Sequence, residues 1–258
     1  MEKSRKESLI ELFFKKDVWL SNVLNKNVFI LLTSSNIREN SLLKSFNDLF
    51  DQYSRQDLFI YVKIKTNSVR QISRIEDLGF RLIDTNILFT RNPDFNYKKD
   101  LKNNIHINFA QDYHKCSIGK IAFNNFSFSR FHLDPHIKNS QANNLKKTWS
   151  ENFFLGKRGD YMVIAMHDDN PIAFLQLIKK EKNLVIDLIA VSSNYRGKNI
   201  ASSMINFACK NLKCEKIIVG TQISNLPSIK LYQSLGFNPI SSDYVFHYHN
   251  LQINVHKF

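Results

Sequence analysis

The segment VSSNYRGKNIASSM, Val191 to Met204, joins the end of an apolar run to the start of a pattern with helical spacing. Gly197 lets the backbone approach another group closely, and the residues after it open a helix whose first N–H groups have no partner within the helix. Unpaired N–H groups and the helix dipole attract anions at this position. The segment therefore predicts a turn that binds a phosphate.

The net charge of the chain also favours an anionic partner. The 258 residues include 36 Lys and Arg against 23 Asp and Glu, which gives a formal net charge of +13. This excess is compatible with a nucleic acid, a membrane surface or a phosphorylated ligand. A biased genome composition explains part of it, because Lys, Asn and Ile are all abundant. The length accommodates one large domain or two small ones.

Cysteine usage and the apolar runs bear on the cellular compartment. Three cysteines without a Cys-x-x-Cys pair argue against a disulfide framework and a structural zinc site. His247 and His249 are two apart in a strand pattern, but no third ligand accompanies them, so we predict no metal. The start of the sequence breaks its apolar residues with charges and does not have the apolar core of a signal peptide. Runs such as Val28 to Leu32 are far shorter than the ~20 residues of a membrane span. We expect a cytoplasmic protein without a membrane span.

The polar segment Arg91 to Asn104 marks the predicted domain boundary, which gives domains 1–104 and 105–258. Periodicity predicts two helices, a loop between them, and then three strands, a helix, a strand, a helix and a final strand. The predicted elements are helices at Phe109–Phe126 and Asn143–Gly156, the loop Phe128–Gln141, strands at Asp160–His167, Ile172–Lys180 and Asn183–Val191, helix Ile200–Leu212, strand Lys216–Gln222, helix Leu226–Leu235 and strand Asp243–His249.

Two short matches indicate an internal duplication. Ser34 to Arg38, SSNIR, follows an apolar run just as Ser192 to Arg196, SSNYR, does 158 positions later. Leu78-Gly79-Phe80 matches Leu235-Gly236-Phe237 at an offset of 157. Both matches lie in the same predicted order of strands and helices. This coincidence of order and offset predicts that the first hundred residues are a copy of the C-terminal elements.

The first copy lacks the residues on which the phosphate turn depends. It has Glu39 where the second copy has Gly197, and a carboxylate repels a phosphate. It also has Ile75 opposite Tyr232, so that a hydroxyl is missing. We therefore predict that the N-terminal domain is a scaffold or acceptor-side half and that the second copy is the working one.

The C-terminal portion, about Ile105 to Phe258, resembles the GNAT superfamily of N-acetyltransferases. The family signature is an Arg or Gln, two residues, a Gly, one residue and a Gly or Ala, and here it reads RGKNIA from Arg196 to Ala201. Asn199 replaces one glycine, and Asn tolerates a left-handed backbone. Asn225, Tyr232 and the pair Gly236-Phe237 match a second family element.

The resemblance implies an α+β fold with a central mixed, largely antiparallel sheet flanked by helices, preceded by a degenerate GNAT-like N-terminal half. It also implies an N-acetyltransferase that uses acetyl-CoA as co-substrate, with main-chain amides of the turn on the pyrophosphate. The implied acetyl-CoA-binding residues are Ile189, Val191, Arg196, Gly197, Lys198, Asn199, Ile200, Ala201, Asn225 and Ser228. Tyr232 takes the place of the general acid, since a Tyr hydroxyl with a reference pKa of about 10 is protonated at pH 7.

A narrower resemblance concerns the acceptor. Phe126 to Ile137 and the following segment are similar to the acceptor-side region of dTDP-fucosamine N-acetyltransferases, which acylate the 4-amino group of a nucleotide-linked deoxysugar. We therefore expect a nucleotide-linked amino-deoxysugar for surface polysaccharide synthesis, and Arg130, His132 and Asp187 as candidate acceptor-side residues. Asp187 lies two residues before Ile189, which places both on one strand face. It deprotonates the acceptor ammonium, directly or through water, or it orients the acceptor, or it bonds to a neighbouring backbone group, and we do not assign it as catalytic.

Other functions remain open on sequence grounds. Within the enzyme class, the acceptor is alternatively another amine metabolite or a protein N-terminus. Outside it, a basic module that binds nucleic acid without catalysis is the alternative. The Lys and Arg residues are spread along the chain, and retained Tyr232 and Asn225 would have no role in such a module, so we expect no nucleic-acid partner. The expected partners are a small-molecule acceptor and, as one option, a second copy of the chain in a homodimer.

Overall fold

The computed structural model describes residue 10 and residues 13–32, 39–94, 101 and 104–250. The chain forms two compact units, Met1–Thr85 together with Ser242–Phe258, and Asn86–Ser241. The predicted boundary between residues 104 and 105 lies inside the second unit. The division into a scaffold half and a catalytic half stays a prediction.

Seven helices and ten strands have bounds within the described residues. In chain order they are β1 (Phe14–Lys16), α1 (Val18–Leu24), β2 (Asn27–Leu31), α2 (Glu39–Gln52), β3 (Leu58–Lys65), α3 (Val69–Asp77), β4 (Arg81–Arg91), β5 (Ile105–Phe109), α4 (Lys115–Asn125), α5 (Asn139–Phe154), β6 (Tyr161–His167), β7 (Asn170–Lys180), β8 (Asn183–Val191), α6 (Ile200–Asn211), β9 (Lys216–Gln222), α7 (Leu226–Ser234) and β10 (Asn238–His249). None of these helices is long and apolar enough to cross a bilayer.

The first unit is a small mixed sheet with helices. Its strands follow the order β1-β2-β3-β10, in which β2 and β3 are parallel and the other pairs are antiparallel. Asp17 is the N-cap of helix α1, and its carboxylate accepts a hydrogen bond of 2.9 Å from the N–H of Leu20. Such a cap satisfies one of the N–H groups that a helix start leaves unpaired. The core combines aromatic and aliphatic side chains, including Phe46, Ile60 and Ile75.

The second unit is a larger sheet with the order β4-β9-β8-β7-β6-β5, in which β8 and β9 are parallel and the other neighbours whose pairing is described are antiparallel. Side chains alternate between its two faces, as the strand period of two requires. Leu175 of β7 joins the core cluster that contains Met204 of α6. Phe174 joins a separate cluster with Ile118 of α4. The predicted α+β architecture with a mixed, largely antiparallel sheet is confirmed.

The repeated order of elements is present in the structure. Strand β3, helix α3 and strand β4 begin 157 or 158 positions before β9, α7 and β10. In each copy the first two strands, β2 with β3 and β8 with β9, pair in parallel. The match at Ser34 to Arg38 lies outside the described residues.

The last strand of each copy pairs with the other copy. Within the first unit, Asp243–His249 of β10 pair antiparallel with Phe59–Lys65 of β3. Within the second unit, Asn86–Arg91 of β4 pair antiparallel with Ile217–Gln222 of β9. This exchange explains why the compact units do not follow the order of the two copies along the chain.

Candidate active site

Strands β8 and β9 diverge at the centre of the second unit. They pair in parallel only from Asn183 with Lys216 to Ile186 with Val219. Strand β8 nevertheless continues to Val191, and β9 continues beyond the last pair as well. Beyond Ile186, the main-chain groups of β8 that face β9 therefore have no paired strand on that side among the described residues. Main-chain N–H and C=O groups are strong hydrogen-bonding groups, so this opening suits an extended polar ligand.

The turn after β8 has the backbone conformation that an anion-binding loop needs. Gly197 has φ +74°, and a Cβ placed on it would meet no atom within 4 Å. Asn199 has φ +61° and precedes α6 without a capping bond from its side chain. The first hydrogen bond of the helix joins the N–H of Ser203 to the carbonyl oxygen of Asn199, at 3.0 Å. The N–H groups at the start of α6 are thus left for a ligand, and Asn199 adopts the left-handed conformation expected of it.

The two cations of the turn hold it in shape, and one of them ties it to neighbouring elements. The Nε of Arg196 donates to the carbonyl oxygen of Val191 at 3.2 Å, and its Nη2 donates to both oxygens of Asn125 at 3.2 Å. The ammonium of Lys198 donates to the carbonyl of Asn194 at 2.8 Å and lies 4.8 Å from the Tyr195 ring. Arg196 therefore fixes the turn against the ends of β8 and α4, and its role as an acetyl-CoA ligand stays a prediction.

Tyr232 lies in the core beneath this region. Asn225 is the N-cap of helix α7, and its amide oxygen accepts a bond of 3.3 Å from the N–H of Ser228. Tyr232 is 2% exposed and packs between Phe89 and Phe237, with ring centroids 6.2 and 5.6 Å away. Its hydroxyl has no hydrogen-bond partner among the described residues. Burial raises the pKa of Tyr232 above its usual value, so the hydroxyl keeps its proton at neutral pH.

A β-bulge redirects the side chain of Asp187. The register between β7 and β8 shifts there, and Asp187 has no residue paired opposite it. The extra residue shifts the alternation of side chains by one position. Asp187 reaches Trp149 of α5, on the side where Leu188 packs, whereas Ile189 packs against the cluster that contains α6. The expectation that Asp187 and Ile189 share a strand face is therefore wrong.

Four donors surround the carboxylate of Asp187. Its Oδ1 accepts from Arg158 Nη2 at 2.6 Å, and its Oδ2 accepts from Arg158 Nε at 2.7 Å, Trp149 Nε1 at 2.9 Å and Gln176 Nε2 at 3.0 Å. A carboxylate offers about four lone-pair positions. Three of these bonds go to Oδ2 and one to Oδ1, and the cation of Arg158 stabilises the ionised carboxylate, so Asp187 organises its neighbours.

Arg158 and Lys146 both lie against the indole of Trp149. The guanidinium carbon of Arg158 is 4.4 Å from the ring centroid, and the ammonium of Lys146 is 4.7 Å from it. Lys146 is also 4.9 Å from the ring of Phe126. Cations are attracted to the faces of aromatic rings, most strongly to Trp. The helix α5 and the loop before β6 thus hold two positive charges beside the bulge of β8.

Gly159 allows the loop before β6 to approach β7. It has φ +88°, and a Cβ there would lie 3.0 Å from Cγ of Gln176, which is fully buried. Gly156, in the same loop, has φ +64° and open space around its Cβ position. The two glycines therefore share the positive φ but differ in their surroundings.

We expect Gly159→Ala to destabilise the protein more than Gly156→Ala does. A left-handed backbone costs an alanine about 1–2 kcal/mol in either place, and at residue 159 the contact with Gln176 adds to this. Urea unfolding monitored by circular dichroism measures both midpoints. Equal midpoints for the two variants would show that the approach to Gln176 has no energetic weight.

The predicted acceptor-side residue His132 fixes its own loop onto α5. Its Nδ1 accepts a bond of 2.6 Å from the hydroxyl of Ser129, and its Nε2–H donates to the amide oxygen of Asn143 at 2.9 Å. Burial is the main cause that lowers the pKa of His132, and the charge of Lys146 acts in the same direction. Arg130 stacks on the neighbouring ring of Phe131, 4.4 Å from its centroid.

The structure brings the predicted residues into two groups within the second unit. In the first, Ile200 and Tyr232 share a core cluster against which Ile189 and Val191 pack. In the second, Trp149 donates to Asp187, and Lys146, which lies against Trp149, acts on His132 through its charge. The roles of all these residues stay predictions.

Sequence patterns missed Arg158, Gly159 and Gln176. The signal available for the first two was Gly156-Lys157-Arg158-Gly159, a double-glycine turn that presents an arginine directly before a strand. For Gln176, the signal was a polar side chain within an apolar strand.

The Acetyltransferase (GNAT) family model matches residues 110–237, a segment that contains the turn, the diverging strands and Tyr232. This segment belongs to the GNAT family of acetyltransferases. The predicted family is confirmed, and with it the expectation of an acetyl-transfer enzyme.

Other comparisons extend the similarity of this GNAT protein over nearly its whole length. It is 26% identical over 242 residues to the spore coat polysaccharide biosynthesis protein SpsD of Bacillus subtilis, covering 92% of this chain and 82% of that protein. A conserved Staphylococcus epidermidis protein of unknown function has the same fold, with a TM-score of 0.64 at 15% identity and 93% and 92% of the two chains covered. A tandem GNAT protein from the clavulanic acid biosynthesis pathway gives a TM-score of 0.61 at 11% identity, with 87% and 75% covered.

Proposed function

We propose that this GNAT protein transfers the acetyl group of acetyl-CoA to the amino group of a nucleotide-linked amino-deoxysugar for surface polysaccharide synthesis. The observation that carries acetyl transfer is the divergence of β8 and β9 beside the left-handed turn at Gly197. The similarity to SpsD, named as a polysaccharide biosynthesis protein and matched along 92% of the chain, supports a sugar acceptor.

The residues of the opening fit acetyl-CoA. The thioester supplies an activated acetyl group. Main-chain groups of Ile189 and Val191, beyond the last pair with β9, hold the pantetheine arm and the acetyl carbonyl, and an N–H there stabilises the negative charge that develops on the oxygen. The N–H groups at the start of α6, beside Gly197, hold the pyrophosphate.

Tyr232 is the proton donor in this proposal. The acceptor ammonium loses one proton to water, and the neutral amine attacks the carbonyl carbon directly. As the carbon–sulfur bond breaks, Tyr232 gives its hydroxyl proton to the sulfur, the nitrogen releases its second proton to water, and Tyr232 regains a proton from water. Asp187 takes no part in the proton transfer, because four donors already surround its carboxylate. Direct attack also agrees with Cys209, whose thiol pKa burial raises to about 12, which makes it a poor nucleophile.

A panel of acceptors tests the proposal. The purified protein is incubated with acetyl-CoA and with several nucleotide-linked amino sugars, free amine metabolites or peptides with a free N-terminus, and products are identified by mass spectrometry. We expect one added acetyl group on a nucleotide-linked amino sugar. Acetylation of only a peptide or another amine would overturn the sugar acceptor, and strong oligonucleotide binding without any acetylation would favour a nucleic-acid-binding module.

We also expect one acetyl-CoA to bind per chain. In the first copy, β2 ends at Leu31, one residue past its last pair, Ile30 with Tyr61, so among the described residues it continues past β3 for a much shorter distance than β8 continues past β9. Ile75, at the position that corresponds to Tyr232, is buried in the core. Isothermal titration calorimetry gives the stoichiometry directly. Two equivalents per chain would contradict the view that the first copy lost its acetyl-CoA site.

A further inference from the structure

Arg158 presents an edge with unused hydrogen-bond donors. A guanidinium has five N–H groups, and Arg158 directs its Nε and one Nη2 donor at Asp187. Its side chain makes no other hydrogen bond among the described residues, and 39% of it is exposed. Three N–H groups on the outer edge are therefore accessible to a ligand.

The guanidinium is also held in one orientation. Asp187 binds it through two parallel hydrogen bonds, and the indole of Trp149 lies against its plane. The backbone N–H of Arg158 donates to the carbonyl of Asn152 at 3.3 Å, and Gly159 permits the close approach of the loop to β7. A cation fixed before the ligand arrives loses little side-chain entropy on binding.

The charges around Arg158 favour an anion. Asp187 neutralises the charge of Arg158. Lys146, which also lies against the indole of Trp149, adds a second positive charge. Arg158, Lys146 and Asp187 together carry one net positive charge. The planar fork of an arginine matches the oxygens of a phosphate or carboxylate, to which it makes charge-assisted hydrogen bonds.

We propose that Arg158 is a specificity-determining residue that binds the phosphate oxygens of the acceptor through its outer N–H groups. This inference rests on the proposed function, since the diphosphate of a nucleotide-linked sugar supplies that oxyanion. Asp187 and Trp149 are positioning residues that hold the guanidinium. The bulge at Asp187 places this anion site on the α4 and α5 side of β8, apart from the turn at Gly197 on which acetyl-CoA depends.

Steady-state kinetics with two kinds of acceptor test the proposal. Arg158→Gln is expected to raise KM for a nucleotide-linked amino sugar about ten- to hundredfold, the range of a lost hydrogen bond to a charged group. KM for acetyl-CoA, and KM for the free amino sugar without phosphate, are expected to stay within about twofold. Arg158→Lys keeps the charge beside Asp187 but loses the planar fork of the guanidinium. Its KM for the nucleotide-linked amino sugar is therefore expected to lie between the values of the wild type and Arg158→Gln.

Lys157→Gln is the matched control. It removes the same charge from the neighbouring, exposed residue of the same loop and is expected to leave all three KM values unchanged. An Arg158→Gln enzyme with an unchanged KM for the nucleotide-linked acceptor would overturn the proposal. So would an equal rise for the phosphate-free sugar, because this would show a structural role.

A binding experiment tests the anion site without any knowledge of the sugar. The chain has two Trp residues, so Trp19→Phe leaves Trp149 as the only indole reporter. Inorganic pyrophosphate is titrated in the presence of saturating CoA, which blocks the turn at Gly197. We expect a saturable change in fluorescence that disappears in Trp19→Phe/Arg158→Gln. No saturable change, or the same change in both proteins, would overturn the proposal.

The two experiments separate the anion site from the proposed acceptor. If pyrophosphate binds through Arg158 but no nucleotide-linked sugar is acetylated, the anion site stands and the proposed acceptor fails. If such a sugar is acetylated and neither its KM nor the fluorescence depends on Arg158, the acceptor stands and the anion site fails. Succinate replaces pyrophosphate in a parallel titration, and tighter binding of the carboxylate would overturn phosphate as the bound group.

Discussion

Replacing Tyr232 with Phe is expected to lower kcat by about 10²- to 10⁴-fold while acetyl-CoA affinity holds. The substitution keeps the ring between Phe89 and Phe237 and removes only the hydroxyl. A loss of this size corresponds to roughly 3 to 5 kcal/mol of barrier. Because the hydroxyl acts only as the carbon–sulfur bond breaks, kcat and kcat/KM should fall together. Single-turnover kinetics and calorimetry with acetyl-CoA measure the two quantities.

The pH profile gives an independent check on Tyr232. Its hydroxyl can donate a proton only in the protonated state, and burial raises the pKa of Tyr232 above the usual value near 10. If Tyr232 is the acid, kcat should stay constant between about pH 9 and 10. It should fall only above about pH 10, where the hydroxyl loses its proton. An ionisation within that range that disappears in Tyr232→Phe would contradict the buried, protonated donor.

Tyr113→Phe is the control for the loss of a tyrosine hydroxyl. Tyr113 is 79% exposed, in the turn before α4, and its variant should turn over like the wild type. If Tyr232→Phe stays within about threefold of the wild type, with chemistry shown to be rate-limiting, the tyrosine is structural. The proton donor must then be sought among other groups of the opening.

Local chemistry made much of this fold predictable. The strands Asn183–Val191 and Lys216–Gln222 have the predicted bounds, because alternating and continuous apolar runs report directly on burial. The left-handed Asn199 followed from the backbone preferences of one residue type. In contrast, β5 at Ile105–Phe109 was missed, since its polar alternate residues, His106 and Asn108, lie between the segment taken for a linker and the predicted helix that begins at Phe109.

The features that the sequence did not reveal depend on pairings between distant residues. The bulge at Asp187 exists only in the register of β8 against β7. Arg158 meets Asp187 across 29 positions, and Trp149 meets it across 38. The exchange of β4 and β10 between the two copies likewise has no local signature, because each strand has the same apolar pattern whichever neighbour it joins.

Gly197→Val is expected to weaken acetyl-CoA binding by about ten- to hundredfold while the fold persists. The turn has φ +74° at this residue, a conformation in which a β-branched side chain is an outlier. Strain of this kind is of the order of 1–3 kcal/mol, and each 1.4 kcal/mol is about tenfold in affinity. Because an added Cβ would meet no atom within 4 Å, the unliganded turn can relax without disturbing the core. The cost then appears when the ligand requires the original backbone.

Gly156→Val separates the turn from general strain. Gly156 has φ +64° and equally open surroundings, but it lies in the loop after α5. Gly156→Val should lower the urea midpoint by about as much as Gly197→Val does. It should bind acetyl-CoA as the wild type does. Calorimetry on both folded proteins decides the matter. Unchanged affinity in Gly197→Val would remove the turn from the pyrophosphate site, and equal weakening in Gly156→Val would trace the effect to global destabilisation, because only Gly197 lies beside the N–H groups that begin α6.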